Sequence, residues 1–440
     1  MKISLKKTLA VIMAVLSLSY LFIPSNGMTA SASSGDKKAI YVLPGFLGSQ
    51  LFINDTKIWV GPRIALDLLT PLSSPLAYNA NGNGMRAVEG STNRNDKTFD
   101  EYGTFDIYEE LVSGLRRAFD AKYGGTGAYD VIFFSYNWLG DINDAAAKLE
   151  THINQNGYTK VVFVAHSAGG LLAADYISRG NNKNKVEKAI LIGVPLYGTY
   201  AALEAIELGT QRELENTISE TVRRGFLQGT DAGRVTRTLV DAYFHAYFKN
   251  IFKNSSLAYQ MLPSDEYLKN YPIQTSFWGI KLEKLKIVLN ETSTTYNSAS
   301  GLYSVLNNTA YTRQINTSLT NGSTSRSHKN FRETVLKNDI ASVLMSIGAN
   351  NVVLIGNKGG SASTGFQTPT NAYYTNKGLM DTDFIGKLDI KYTYDGDGIV
   401  TAFSSTMNNN SSFRFSNYPG VDHISLVKNT NVIAQIISEI

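Results

Sequence analysis

The stretch that most constrains this chain is Val161 to Gly170, Val-Val-Phe-Val-Ala-His-Ser-Ala-Gly-Gly, a β-branched apolar run that delivers one serine into a cluster of small residues. Leu171 to Ile177 then reads as a helix. A strand turning that sharply into a helix strains the residue at the turn, so the residues two before and two after it must be small. Ala165 and Gly169 meet that demand, with Ala in place of the usual first glycine. Such a turn leaves the Ser167 hydroxyl above the sheet edge. It also aims the Ala168 amide and the positive end of the helix at any oxygen that gains charge there. The spacing marks a nucleophile elbow; alone the pentapeptide is a weak signal, and its weight comes from the strand before it and the helix after it.

Around the elbow the chain keeps a rhythm. Ala39 to Leu43, Val131 to Tyr136, Val161 to Ala165 and Ala189 to Gly193 read as strands, and Ile107 to Phe119 and Asp141 to Asn156 as helices. The strands are continuously apolar rather than alternating, which predicts a mostly parallel sheet covered by helices on both faces. After Pro195 the rhythm stops until Asn351 to Ile355. Residues 199–350 therefore read as a large inserted cap domain on a core built from residues 33–198 and 351–440. Within the cap, Leu239 to Phe252 carries an aromatic helical face, for packing onto the core or for an acyl-chain groove, and Asn290 to His328 reads as loops and short elements.

Residues 1–32 read as a secretory signal: Lys2, Lys6 and Lys7 precede an apolar run from Leu9 to Ile23, and cleavage is expected after Ala32. An uncleaved anchor is the other reading, but the run falls short of the ~20 residues a spanning helix needs. Removing the three lysines takes the formal charge of +4 to about +1, so a secreted, nearly neutral mature chain is expected. No basic patch suggests nucleic acid, and no protein partner is evident. The absence of cysteine excludes disulfides, a thiol nucleophile and a lipidated-Cys anchor.

A serine nucleophile needs a base, an acid and a second oxyanion donor. Pro44-Gly45-Phe46-Leu47-Gly48-Ser49 follows the first strand, where glycines let a backbone amide face a ligand; the Phe46 amide is the candidate, against an ordinary strand-ending turn. Of five histidines only His423 lies in a loop after the last strand, Phe413 to Phe415, and before a closing helix from Ile424 to Ile437. His152, His166, His245 and His328 read as structural. For the acid, Asp395-Gly396-Asp397-Gly398-Ile399-Val400 offers Asp395 and Asp397, with Asp422 a third candidate. A calcium loop is the competing reading of the acidic pair, but too few oxygen ligands cluster there.

Pro44 to Leu51, Ile58-Trp59-Val60, Tyr129 to Trp138, Ala165 to Gly170, Leu191 to Tyr197 and Ser256 to Ser264 together resemble the lecithin:cholesterol acyltransferase-like branch of the α/β-hydrolases, in a bacterial secreted form. The resemblance runs from Ile40 to the C-terminus and is patchy between Thr199 and Asn350. It implies an α/β-hydrolase fold, Asp397 as the acid before the Gly-x-Val step, and an oxyanion hole from Phe46 and Ala168. It also implies lipid contact for the region matching Ile58 to Leu76, where a satellite core under a long loop is the other reading. The family's Tyr-Asp-Trp-Arg stands here as Tyr136-Asn137-Trp138-Leu139, so any salt bridge of that Asp and Arg is absent. The expected function is acyl hydrolysis or O-acyl transfer on lipid esters through Ser167, Asp397 and His423, with no metal or organic cofactor and peripheral contact with a lipid surface. A carboxylesterase on soluble esters and an inactive hydrolase-fold binding protein are the alternatives.

Overall fold

The computed structural model describes residues 36–59, 84–90, 99–209, 247–271, 286–289, 292–295, 339–375 and 387–440, with positions 76, 331, 335 and 336. The expected signal, most of Ile58 to Leu76, His245, His328 and most of the expected cap lie outside the described residues.

Among the described residues twelve strands run in chain order: β1 (Lys38–Leu43), β2 (Leu51–Ile53), β3 (Thr56–Trp59), β4 (Asp130–Phe133), β5 (Lys160–His166), β6 (Val186–Ile192), β7 (Lys286–Leu289), β8 (Thr292–Thr295), β9 (Val352–Gly356), β10 (Thr368–Thr375), β11 (Lys387–Thr393) and β12 (Arg414–Asn417). Six of them form one sheet in the order β12-β9-β6-β5-β1-β4. Every pairing in it is parallel, with Leu43 opposite Ala165, His166 opposite Ile192 and Ile192 opposite Ile355. Parallel strands end at one edge, so Leu43, His166 and Ile192 all open onto the same crevice, where ligands bind in such sheets.

The continuous apolar runs are explained by two cores. Ile40, Val42, Val162, Val164, Ile190 and Ile192 face a layer holding Leu111, Leu115, Val432 and Ile436. Their alternate neighbours, Ala39, Tyr41, Val161, Phe163, Ala189 and Leu191, face a layer holding Leu149, Leu171 and Leu172. Helix α1 (Glu109–Phe119) and the closing helix Thr430–Glu439 thus cover one face, and α2 (Ile142–Gln155) and α3 (Ala168–Ser178) the other. Helix α2 begins where Asp141 caps the Asn143 amide, with the side-chain oxygen accepting at 2.9 Å. The expected closing helix is shorter than its sequence suggests: Ser425–Val427 is a separate turn, and the Asn429 side chain caps a new start by accepting from the amides of Asn431 and Val432.

The sequence did not suggest a second sheet. β7 and β8, in the inserted segment, form it with β10 and β11 in the order β11-β10-β7-β8. β11 leads directly to Asp395 and Asp397.

Candidate active site

Ser167 sits between β5 and α3 with φ 53° and ψ −128°, the strained turn that an elbow requires. Its own amide donates to the Ile192 carbonyl at 2.9 Å, which fixes the turn to β6. Gly169 has no alternative, because a Cβ there would lie 2.3 Å from the Leu43 carbonyl oxygen. Ala165 lies within the strand itself, fully buried between Leu43 and Leu191, and there a methyl is tolerated.

Three segments meet at Ser167. The Gly45 backbone lies so close that a Cβ there would come 2.8 Å from Ser167 Cβ and 3.3 Å from its Oγ. The amides of Phe46 and Ala168 have no hydrogen-bond partner among the described residues. Phe46 is held by its ring, stacked on Phe252 with centroids 5.5 Å apart and edge-on to Trp138 at 5.1 Å. The loop behind it is braced by two aromatic residues: Tyr136 Oη donates to the Pro44 carbonyl at 2.9 Å, and Trp138 Nε1 to the Ser49 carbonyl at 2.9 Å.

His423 and Asp397 face each other across the loops after β12 and β11. Nδ1 of His423 lies 2.8 Å from Asp397 Oδ2, both side chains buried. The other carboxylate oxygen accepts the amides of Ile399 at 3.0 Å and Val400 at 2.8 Å. The His423 amide donates to the Asp397 carbonyl at 3.0 Å, so the two residues are joined through main chain as well. Beneath both, Gly193 adopts φ +56°, and a Cβ on it would lie 3.1 Å from Asp397 Oδ2 and from His423 Nδ1.

The other two acids are engaged elsewhere. Asp395 accepts the Tyr271 hydroxyl at 3.0 Å, and burial pushes its pKa up. Asp422 accepts the amide and hydroxyl of Ser425 at 2.8 and 2.6 Å, as the start of a turn.

His166, read from sequence as structural, takes part in a buried chain of bonds that spacing does not reveal. Its Nε2 lies 3.1 Å from the His423 carbonyl, which can only accept, so Nε2 carries the proton. In the neutral ring Nδ1 is then bare and accepts the Tyr108 hydroxyl at 2.9 Å, while that oxygen accepts the Gly45 amide at 2.7 Å. Burial, with His423 as a neighbouring like charge, holds the His166 pKa well below the usual histidine value and keeps the ring neutral. One chain of bonds therefore ties the Gly45–Phe46 loop to the loop of His423. His152 lies apart, its Nδ1 2.8 Å from Tyr41 Oη.

Ser167, His423, Phe46 and His166 line a cavity of about 240 Å³, walled by Leu47, Ile107, Met261, Ile399, Val400 and Ile424. Of the two apolar stretches, for each of which core packing stood beside contact with lipid or an acyl chain, the described residues follow the core-packing reading. Ile58 and Trp59 are buried in the core; Trp59 Nε1 donates to the Leu47 carbonyl at 2.9 Å and to Thr104 Oγ1 at 3.0 Å. Tyr247, Phe248, Ile251 and Phe252 are likewise buried, with Phe248 edge-on to Trp59 and Phe252 on Phe46.

No family model and no curated protein matches the chain. Among solved structures, a chain of the Tle4–Tli4 complex is similar over 92% of this chain and 97% of its own, with a TM-score of 0.50 and 13% identity. The mature lipase BlEst2 of Bacillus licheniformis matches 52% of this chain and 63% of its own, with a TM-score of 0.23 and 17% identity. The chain has an α/β-hydrolase fold: six parallel strands, helices on both faces and an elbow at the carboxyl edge.

Proposed function

We propose that this chain is a serine acyl hydrolase or O-acyltransferase acting on esters with an apolar acyl chain, lipid esters foremost. The observation that carries the reading is the buried His423–Asp397 pair, 2.8 Å apart, whose histidine lines the same cavity as the strained Ser167. His423 takes the Ser167 proton as Oγ attacks the ester carbonyl, Asp397 holds the Nδ1–H tautomer and stabilises the imidazolium, and the Phe46 and Ala168 amides receive the oxyanion. The alcohol leaves with the proton from His423. Water or a second alcohol, deprotonated by the same histidine, then releases the acyl group from Ser167. Membership of the lecithin:cholesterol acyltransferase-like branch, export by residues 1–32 and contact with a lipid surface belong to this proposal, on the motifs given above.

A second reading, a carboxylesterase on soluble esters, is favoured by the burial of Trp59 and Phe248, which withdraws both residues from any lipid surface. The test is to label the protein with a fluorophosphonate, map the adduct and assay Ser167→Ala. Label on Ser167 is expected, with a loss of about 10⁶ in kcat and an unchanged fold. Substantial residual turnover would overturn the assignment, and no label would favour the inactive binding protein. Rates on phospholipid vesicles against a dissolved short-chain ester decide between lipase and esterase.

A further inference from the structure

We propose that Phe105 is a specificity-determining residue that reads the acyl chain where it leaves the Ser167 cavity, an assignment that rests on the hydrolase reading above. Phe105 and Asp106 both have φ 52°, and the Ile107 amide closes the turn on the Thr104 carbonyl at 3.2 Å. Two successive positive φ values define the type I′ pattern, whose central positions ordinarily take Asn-Gly or Asp-Gly. A phenylalanine has neither the missing Cβ nor the short polar side chain that eases this conformation.

The surroundings enforce the turn. The Gly103 amide donates to Asp100 Oδ1 at 2.9 Å, the Thr104 amide to the Gly48 carbonyl at 2.9 Å, and Thr104 Oγ1 to the Leu47 carbonyl at 2.7 Å. The turn is thus fastened to the loop that carries Phe46. Folding leaves much of the ring uncovered: Phe105 is 44% exposed, the most exposed of the large apolar side chains among the described residues, and it stacks on none of their rings. Yet it lines the cavity of Ser167. An enforced strain that holds an aromatic ring in the open at the wall of a site is the pattern expected when the ring serves a ligand.

The cavity size says which part of the ligand. At about 240 Å³ it lies below the ~300–1,000 Å³ of pockets that enclose a drug-sized molecule, so a long acyl chain projects past the opening. Exposed and lining at once, Phe105 stands at that opening and offers an apolar face to the projecting methylenes.

The experiment compares kcat/KM on p-nitrophenyl dodecanoate and p-nitrophenyl acetate for the wild type, Phe105→Ala and Phe105→Gly, with the Tm of each. The dodecanoate-to-acetate ratio is expected to fall about tenfold in both variants, the size of effect that a methylene or so of lost contact produces. Phe105→Gly is expected to melt above Phe105→Ala, since both lack the ring and only glycine relieves a positive φ. A ratio unchanged in both variants overturns the assignment, as does alanine melting at or above glycine. A wild type that turns over neither ester and takes no fluorophosphonate label overturns the hydrolase reading itself, and this assignment falls with it.

Discussion

Oδ2 of Asp397 lies 2.8 Å from Nδ1 of His423, while the carboxylate of Asp395, two residues earlier, is turned to Tyr271. Only the first contact can hold an imidazole tautomer. Asp397→Asn is expected to lose about 10⁴ in kcat, the cost of the wrong tautomer in such arrangements. Asp395→Asn should lose less than tenfold. Steady-state kinetics on the two variants rank them, and the opposite order would make Asp395 the acid.

Tyr108→Phe should act at a distance from the chemistry. It unpairs the Gly45 amide and His166 Nδ1 together, releasing the oxyanion loop and the residue beside the nucleophile. Because a displacement of about 1 Å in a reacting group can cost about 10²-fold, kcat is expected to fall by roughly 10–100-fold with KM little changed. A rise in KM at constant kcat would instead place Tyr108 in substrate binding.

Trp59→Ser is expected to destabilise the whole protein by about 3–5 kcal/mol, because a buried indole is lost together with its bonds to Leu47 and Thr104. Thermal melting checks the size of the loss. Residual activity should fall alike on vesicles and on a soluble ester; a defect confined to vesicles would return Trp59 to the lipid surface.

Asp175 predicts a pH dependence unrelated to catalysis. It is fully buried, pairs with Arg179 at 2.6 Å through one oxygen, and its other oxygen has no hydrogen-bond partner among the described residues. Burial pushes its pKa up to about 6 from the ordinary aspartate value of 3.8. The folded state then holds a proton that the unfolded state has already released, so this group's contribution to stability falls as pH rises between those two values and is flat above them. From about pH 4.5 to about pH 7.5 the loss is about 2 kcal/mol. Urea unfolding of wild type and Asp175→Asn at the two pH values should differ by that amount. An equal pH dependence in both would remove Asp175 as its cause.

What the sequence made legible follows the range of the interactions. The elbow is legible because its strain is local: Ser167 takes φ 53° between β5 and α3, and the small residues that allow it stand within two positions on either side. The parallel sheet is legible because residues such as Val162 and Phe163 serve opposite cores and both must be apolar. The Tyr108–His166 contact joins residues 58 apart through polar atoms, and no periodicity records it. Trp59 was ambiguous because an apolar residue near an active site carries the same letter whether it faces lipid or core; only the indole bonds to Leu47 and Thr104 decide. β8 was invisible for a further reason: Thr292–Thr295 is polar throughout, with no alternation to mark a strand.

The pairing of β6 with β9 joins Ile192 to Ile355 across the longest gap in the central sheet. Loop-closure entropy must be spent before so distant a pair gives anything back, which makes it a late event in folding. The elbow is formed by β5, β6 and α3, whereas Asp397 and His423 lie beyond β9 in the chain. A ribosome makes the chain from its N-terminus, so nucleophile and base are separated in time as well as in sequence. A chain halted before Val352 would hold the elbow sequence without Asp397 and His423, so under the proposed mechanism Ser167 gains its partners only once the last strand of the central sheet has been made.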